Sequence, residues 1–203
     1  MEIKPKVVVQ KQGFKILQKD EINRPFIATL RWKTAVDLDL HCMYRLKDGS
    51  TVTVPVKKGI LGKIAGFFTG ESEDFSSAAR SLEGHIYFSN MGSKTRAPFI
   101  ELDGDEGIGD TGGDNEENIT FADIDKVEYA IIVANIFNKT TNFAQYNGSV
   151  IVKGAKTEFE VPLDDSQVGS WCVVAKLDNS GAETKLVNVN KTMRNRPNLS
   201  NFI

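Results

Sequence analysis

The chain has 203 residues, of which 40% are hydrophobic and 26% are charged, and its formal net charge is −2. This composition excludes wholesale disorder, because a disordered chain is too poor in Val, Ile, Leu and Phe to bury a core. It also excludes a membrane-spanning helix, because no stretch approaches the roughly 18 consecutive apolar residues that a span needs.

Along the chain, the hydrophobic pattern is that of strands. Apolar residues alternate or form short blocks rich in Val, Ile, Phe and Tyr, with Gly, Asn and Asp between them. In chain order, strands are predicted at 26–32, 36–46, 51–56, 85–90, 127–137, 149–153, 158–163, 171–177 and 185–189. Turn-forming residues follow at Asp48-Gly49, Lys153-Gly154 and Asn179-Ser180-Gly181.

Regular short strands separated by turns predict an all-β fold, an antiparallel β-sandwich of two sheets. No linker rich in Pro, Gly or Ser divides the chain, so residues 1–203 are expected to form a single domain. Within it, an apolar, glycine-rich insertion is expected at about 57–83. The tail from about residue 190 has weak structural signals and is expected to be loose.

An acidic segment at 101–117 interrupts the strand pattern. Eight of its 17 residues are carboxylates and five are glycines, and no Lys or Arg occurs between Ala97 and Asp125. Many oxygen ligands on a loop that can turn sharply suit Ca²⁺, which takes six to eight oxygens. Zn²⁺ would need His or Cys, which this segment lacks. The alternative is a solvated acidic loop that binds nothing.

A second acidic feature lies in the predicted strand 36–46. Alternation places Leu38, Leu40 and Cys42 on one face of this strand, and Asp37, Asp39 and His41 on the other. Two aspartates on one strand face repel each other unless a cation lies between them. A Lys or Arg side chain could supply that charge, and so could a metal ion shared with the acidic segment.

Four sequence blocks together resemble the TerD family, the calcium-binding domains of tellurite-resistance and stress-response operons. They are VDLDL at 36–40, YFSN at 87–90, GDEGIGDTGGDNEENITF at 104–121 and TNFAQYNGSVIV at 141–152. The resemblance runs from about residue 8 to residue 186, and the acidic segment is its most specific part. The insertion at 57–83 looks longer than the family's usual connection, and Ala144 stands where glycine is usual.

The resemblance implies a β-sandwich that binds one or two calcium ions at one end and has no established enzymatic activity. The strand aspartates, the acidic segment and an asparagine at its rim are then the expected ligands: Asp37, Asp39, Asn90, Asp103, Asp105, Asp110, Asp114, Asn115, Glu116 and Glu117. The register of the ligand loop departs from the family pattern, because Asp114-Asn115-Glu116-Glu117 replaces Gly-Asp-Asp-Glu.

Other site patterns fit poorly. Residues 107–112 match G-x-G-x-x-G, but a dinucleotide site needs a helix after the glycines and no dense carboxylates around the pyrophosphate. An EF-hand starting at Asp103 fails, because its sixth position is Ile108 and not glycine. The chain has two histidines, of which His41 is expected to be an ordinary surface residue. No catalytic constellation emerges, so no enzymatic activity is predicted.

The expected function is therefore a calcium-binding stress-response module that interacts with another protein. The N-terminus lacks the apolar run of a secretory signal, and Cys42 and Cys172 lie in apolar strands, which favours buried thiols in the cytoplasm. The basic termini are expected to be solvated, with no specific nucleic-acid partner. A less favoured alternative is calcium-dependent binding to a membrane surface, with the apolar run at 60–68 entering the interface.

Overall fold

The computed structural model describes residues 11–50, 83–104, 115–137 and 141–203, and strands dominate these residues. In chain order the described strands are β1 Phe14–Leu17, β2 Phe26–Trp32, β3 Leu38–Leu46, β4 Gly84–Ile86, β5 Gly92–Ser93, β6 Ile100–Leu102, β7 Asn115–Phe121, β8 Val127–Ile136, β9 Gly148–Lys153, β10 Glu158–Leu163, β11 Trp171–Asp178 and β12 Thr184–Met193. The described helices are short: α1 Lys19–Ile22 and the 3₁₀ turns Ile124–Lys126, Phe143–Gln145 and Leu199–Asn201.

The strands form two antiparallel sheets of six strands each. Sheet A has the order β1-β12-β11-β8-β3-β4, and sheet B has the order β10-β9-β2-β7-β6-β5. The turns predicted at Lys153-Gly154 and Asn179-Ser180-Gly181 connect β9 to β10 and β11 to β12. The predicted all-β sandwich is therefore confirmed, whereas the predicted strand 51–56 and all of the insertion but Glu83 lie outside the described residues.

The main core fills the space between the two sheets. Strand β2 contributes to this core through its alternating pattern. Its residues Phe26, Ala28, Leu30 and Trp32 point inward and alternate with more exposed residues. Phe26 stacks on Phe121 of the neighbouring strand β7, with ring centroids 4.2 Å apart. The buried indole of Trp32 donates from Nε1 to the carbonyl oxygen of Val36 at 2.9 Å, so its polar atom is also satisfied.

Both cysteines lie in this core as free thiols. Cys42 and Cys172 are each at most 1% exposed, and neither forms a disulfide. Burial raises the pKa of the Cys172 thiol to about 12. The expectation of buried thiols is therefore confirmed, and both groups are protonated near neutral pH.

The outer face of sheet A carries a second, smaller core. This outer cluster consists of the buried residues Met43, Ile131, Val133, Val173 and Leu199. Leu199 belongs to the C-terminal tail, and its backbone N–H donates to Oε2 of Glu83 at 2.6 Å. The tail was expected to be loose, but β12 continues four residues beyond Val189 and Leu199 is 2% exposed.

Several strand ends differ from the sequence-based prediction. Strand β4 ends at Ile86, where 85–90 was predicted, because Tyr87 and Asn90 pair with each other across a tight turn. Strands β1, β5, β6 and β7 were not predicted. Their sequences are short or begin with polar residues, so their pairing partners and not their own periodicity determine them. No helix among the described residues has the length and hydropathy to cross a membrane.

Candidate metal site

The acidic segment belongs to the hairpin that joins β6 to β7 in sheet B. The hairpin pairing extends beyond the end of β6, because the backbone N–H of Asp103 donates to the carbonyl oxygen of Asn118 at 3.0 Å. Both ends of the segment are therefore fixed to the sandwich. The candidate ligands Asp105, Asp110 and Asp114 lie outside the described residues.

Strand β7 separates the two neighbouring glutamates of the acidic segment. Because successive side chains of a strand point to opposite faces, Glu117 points inward and Glu116 points outward. Glu117 is 1% exposed, although its carboxylate is charged at neutral pH in an ordinary environment. Glu116 instead pairs with Arg31 across the outer face of sheet B, with Nη2 to Oε2 at 2.8 Å.

Glu117 connects sheet B to the strand that carries the aspartates. Its Oε2 accepts a hydrogen bond from the backbone N–H of Leu40 in β3, at 2.7 Å. That N–H is accessible because β4 pairs with β3 only from Cys42 to Tyr44. The carboxylate of Glu117 therefore lies against the β3 backbone one residue after Asp39.

The strand aspartates lie on the opposite face of β3 from the main core. Leu38 and Leu40 belong to that core, as the sequence predicts, so Asp37 and Asp39 point outward from sheet A. Asp39 is nevertheless only 5% exposed, and His41 beside it is 4% exposed. The expectation that His41 is a surface residue is therefore wrong, because the tail and neighbouring rings cover this face of the sheet.

Two candidate asparagines are also buried at this end of the molecule. Asn90 donates from Nδ2 to the backbone carbonyl oxygen of His85 at 2.6 Å. Asn115 donates from Nδ2 to the backbone carbonyl oxygen of Trp32 at 3.1 Å. Asn90 and Asn115 are 5% and 7% exposed. Each nitrogen is thus bound to the protein backbone, and each amide also carries the carbonyl oxygen that Ca²⁺ accepts as a ligand.

The remaining described candidates lie on the outer face of sheet B. Asp103 accepts from the backbone N–H and the side-chain Nδ2 of Asn118, at 2.9 and 3.0 Å. Asn118 also donates to Glu116, and this bond, together with Arg31, lowers the pKa of Glu116. These two carboxylates are therefore held by protein donors on a different face from Glu117.

The ten predicted ligands thus divide into three groups. Seven are described, and five of these are wholly or partly buried. Asn115 and Glu117 lie on the inward face of β7, Asp37 and Asp39 lie on the outward side of β3, and Asn90 lies in the turn after β4. Asp103 and Glu116 lie apart from them, and three aspartates lie outside the described residues. In the described part of the chain, no three His, Cys, Asp or Glu side chains converge closely enough to form a metal cluster.

The sequence does not indicate one cluster of buried titratable side chains. His41 and His85 are 44 residues apart in the chain, yet Nδ1 of His41 lies 3.0 Å from Nε2 of His85. Burial lowers the pKa of His41 to about 3, with a further contribution from the positive charge of Arg196. Burial also lowers the pKa of His85 well below its ordinary value. Only the pairing of β3 with β4 brings these rings together, so no local pattern indicates them.

A comparison of the chain with models of known protein families finds no match, and a search among curated proteins finds none either.

Proposed function

We propose that this protein binds calcium at the end of the sandwich where β3 and β7 begin, and that the bound ion orders the acidic segment as a docking surface for another protein. The observation that carries this proposal is the contact between Glu117 and Leu40. It brings the C-terminal end of the acidic segment against the strand that bears Asp37 and Asp39.

The chemistry of the described candidates fits calcium. Asp37, Asp39, Asn90, Asn115 and Glu117 offer carboxylate and amide oxygens, which are the hard ligands that Ca²⁺ prefers. Three of the five are acidic, and burying several carboxylates near one another is costly unless positive charge offsets their repulsion. The acidic segment would supply further oxygens from Asp105, Asp110 and Asp114. Asp103 and Glu116 are left out of the proposed ligand set, since Asn118 and Arg31 already hold them.

Calcium would act here as a structural ion. The acidic segment is anchored at both ends of a hairpin, and its carboxylates repel one another when no cation is bound. A bound ion would remove that repulsion and fix the segment against β3. The TerD resemblance supports a role in a cytoplasmic stress response, in which the ordered end binds a partner protein. We propose no catalytic role.

The adjacent glutamates of β7 provide a matched test. We expect Glu117→Gln to weaken calcium binding, measured by isothermal titration calorimetry, at least tenfold, which corresponds to about 1.4 kcal/mol. Glu116→Gln changes the same residue type one position away but alters only outward contacts, those with Arg31 and Asn118, so the calcium affinity of this variant should stay within about twofold of the wild type. Equal affinities for both variants and the wild type would remove β7 from the site.

Sedimentation with vesicles separates the proposed protein partner from the membrane alternative. The apolar run at 60–68, on which that alternative depends, lies outside the described residues. If the ordered end binds a protein, the calcium-loaded chain should remain in the supernatant with vesicles of phosphatidylserine and phosphatidylcholine. Calcium-dependent sedimentation that a chelator reverses would instead favour the membrane-binding function.

A further inference from the structure

The two histidines of the chain meet on the outer face of sheet A. His41 lies on β3 and His85 on the edge strand β4, where His85 pairs in register with Met43. Nδ1 of His41 and Nε2 of His85 are 3.0 Å apart. Two imidazole nitrogens at this separation either share a proton in a hydrogen bond or act as neighbouring ligands of one metal ion.

Aromatic rings hold both imidazoles in place. Tyr87 stacks on His85, with ring centroids 4.3 Å apart and ring planes inclined by 10°. The ring centroids of Trp171 and His41 are 5.1 Å apart. The two imidazoles are themselves nearly parallel, at 17°. Rings packed in this way lose little further side-chain entropy when they bind a ligand, so the pair is preorganised.

We propose that His41 and His85 form a bidentate site for a divalent transition metal of the Cu²⁺ or Ni²⁺ class. With metal–nitrogen bonds of about 2.05 Å, the 3.0 Å separation corresponds to a ligand–metal–ligand angle of about 94°. Imidazole nitrogens suit Cu²⁺ and Ni²⁺, and Cu²⁺ binds such ligands most tightly among the divalent first-row metals.

His41 has a carboxylate near its second ring nitrogen, as metal-binding histidines commonly do. Its second ring nitrogen, Nε2, lies 4.0 Å from Oδ2 of Asp39 and has no hydrogen-bond partner among the described residues. Metal-bound histidines commonly donate their other ring N–H to a carboxylate, which orients the ring. An approach of about 1 Å would form that bond. Asp39 would therefore position His41 through Oδ2, and its other carboxylate oxygen would remain for the proposed calcium ion.

The charges that face the pair are compatible with a cation. Asp39 contributes one negative charge beside His41, and Arg196 of the tail contributes a positive charge that acts on both imidazoles. Arg196 is itself paired with Glu83, with Nη2 to Oε1 at 3.5 Å. Glu83 therefore offsets the charge of Arg196, and Asp39 remains as a negative charge beside His41.

A metal ion can reach the pair from the edge of sheet A. His85 is only partly buried and lies on an edge strand, whereas His41 is 4% exposed. In the described residues, no third His, Cys, Asp or Glu side chain joins the pair. The remaining coordination positions would be filled by water.

Electron paramagnetic resonance of Cu²⁺ tests this directly, because the chain has only two histidines. The full-length, tag-free protein is first saturated with calcium, so that the acidic ligands are occupied, and then receives one equivalent of Cu²⁺. We expect hyperfine splitting from two imidazole nitrogens. A spectrum with no imidazole nitrogen would overturn the proposal whether or not the protein binds calcium, so the two proposals fail independently.

Substitutions then connect the signal to the pair. His85→Gln should weaken Cu²⁺ binding at least tenfold and remove one nitrogen from the spectrum. Gly181→Ala lies in the β11–β12 turn with open space around it and should change neither quantity. Unchanged Cu²⁺ affinity in His85→Gln would contradict the proposal. If that variant fails to fold, the number of imidazole nitrogens in the wild-type spectrum still decides.

Discussion

Acidification should destabilise the protein through His41. The side chain is 4% exposed, and burial, with the charge of Arg196, lowers its pKa from the ordinary 6.5 to about 3. The folded state therefore keeps His41 neutral, while the unfolded chain gains a proton below pH 6.5. This contribution to stability is complete above pH 6.5 and is lost as the pH falls from 6.5 toward 3.

The size of the effect follows from the pKa difference. Each pH unit within this window costs about 1.4 kcal/mol, so His41 alone should remove about 2 kcal/mol between pH 7.5 and 5.0. For a chain of this length, that loss lowers the melting temperature by roughly 4–8 °C. His85 adds a loss of the same sign, because burial also lowers its pKa.

Urea unfolding at pH 7.5 and 5.0, with metals removed by a chelator, measures this loss. The comparison is with His41→Asn, in which the amide can replace Nδ1 as the partner of His85. The variant should be less stable at pH 7.5, but its stability should fall about 2 kcal/mol less between the two pH values than that of the wild type. An identical pH dependence in both proteins would refute the argument that His41 is held neutral by burial.

Two further variants, one single and one double, test the core and the proposed site. Gly84→Ala should lower the free energy of unfolding in urea by about 1–3 kcal/mol, because the new Cβ would overlap the buried ring of Tyr44. Gly181 has open space around it, so Gly181→Ala should change stability by less than about 0.5 kcal/mol. Similar losses in both variants would contradict the packing argument. The double substitution Asp37→Asn and Asp39→Asn should weaken calcium binding at least tenfold and leave the calcium-free protein no less stable, because it removes two like charges from one strand face. Unchanged calorimetric affinity in the double variant would exclude β3 from the site.

The fold class could be predicted from the sequence because the period of two is strong in the central strands. In β3, Leu38, Leu40 and Cys42 point into the main core as alternation requires. The burial of the opposite face could not be predicted, because it depends on Leu199, which packs there from more than 150 residues away along the chain. To predict that this face is covered, one must know where the C-terminal tail packs, and the periodicity of β3 carries no information about that.

The composition of the proposed site could be predicted only in part. Glu116 and Glu117 look equivalent in a loop, but β7 begins at Asn115 and therefore directs them to opposite faces. Polar residues dominate the first half of this strand, which is why it was not predicted. Pairing with β2 nevertheless fixes it, with Glu117 opposite Leu30. Tertiary pairing outweighs local propensity here.

Calcium titration of the metal-free, full-length protein by isothermal calorimetry tests the central claim most directly. We expect saturable binding of one or two Ca²⁺ per chain, with Mg²⁺ binding much more weakly, because a loop rich in carboxylates suits the larger cation. A melting temperature that rises with calcium concentration should accompany it, since a ligand at 100 times its dissociation constant adds about 2.7 kcal/mol. No heat of binding, together with equal melting temperatures in chelator and in millimolar calcium, would contradict the proposal that this protein binds calcium.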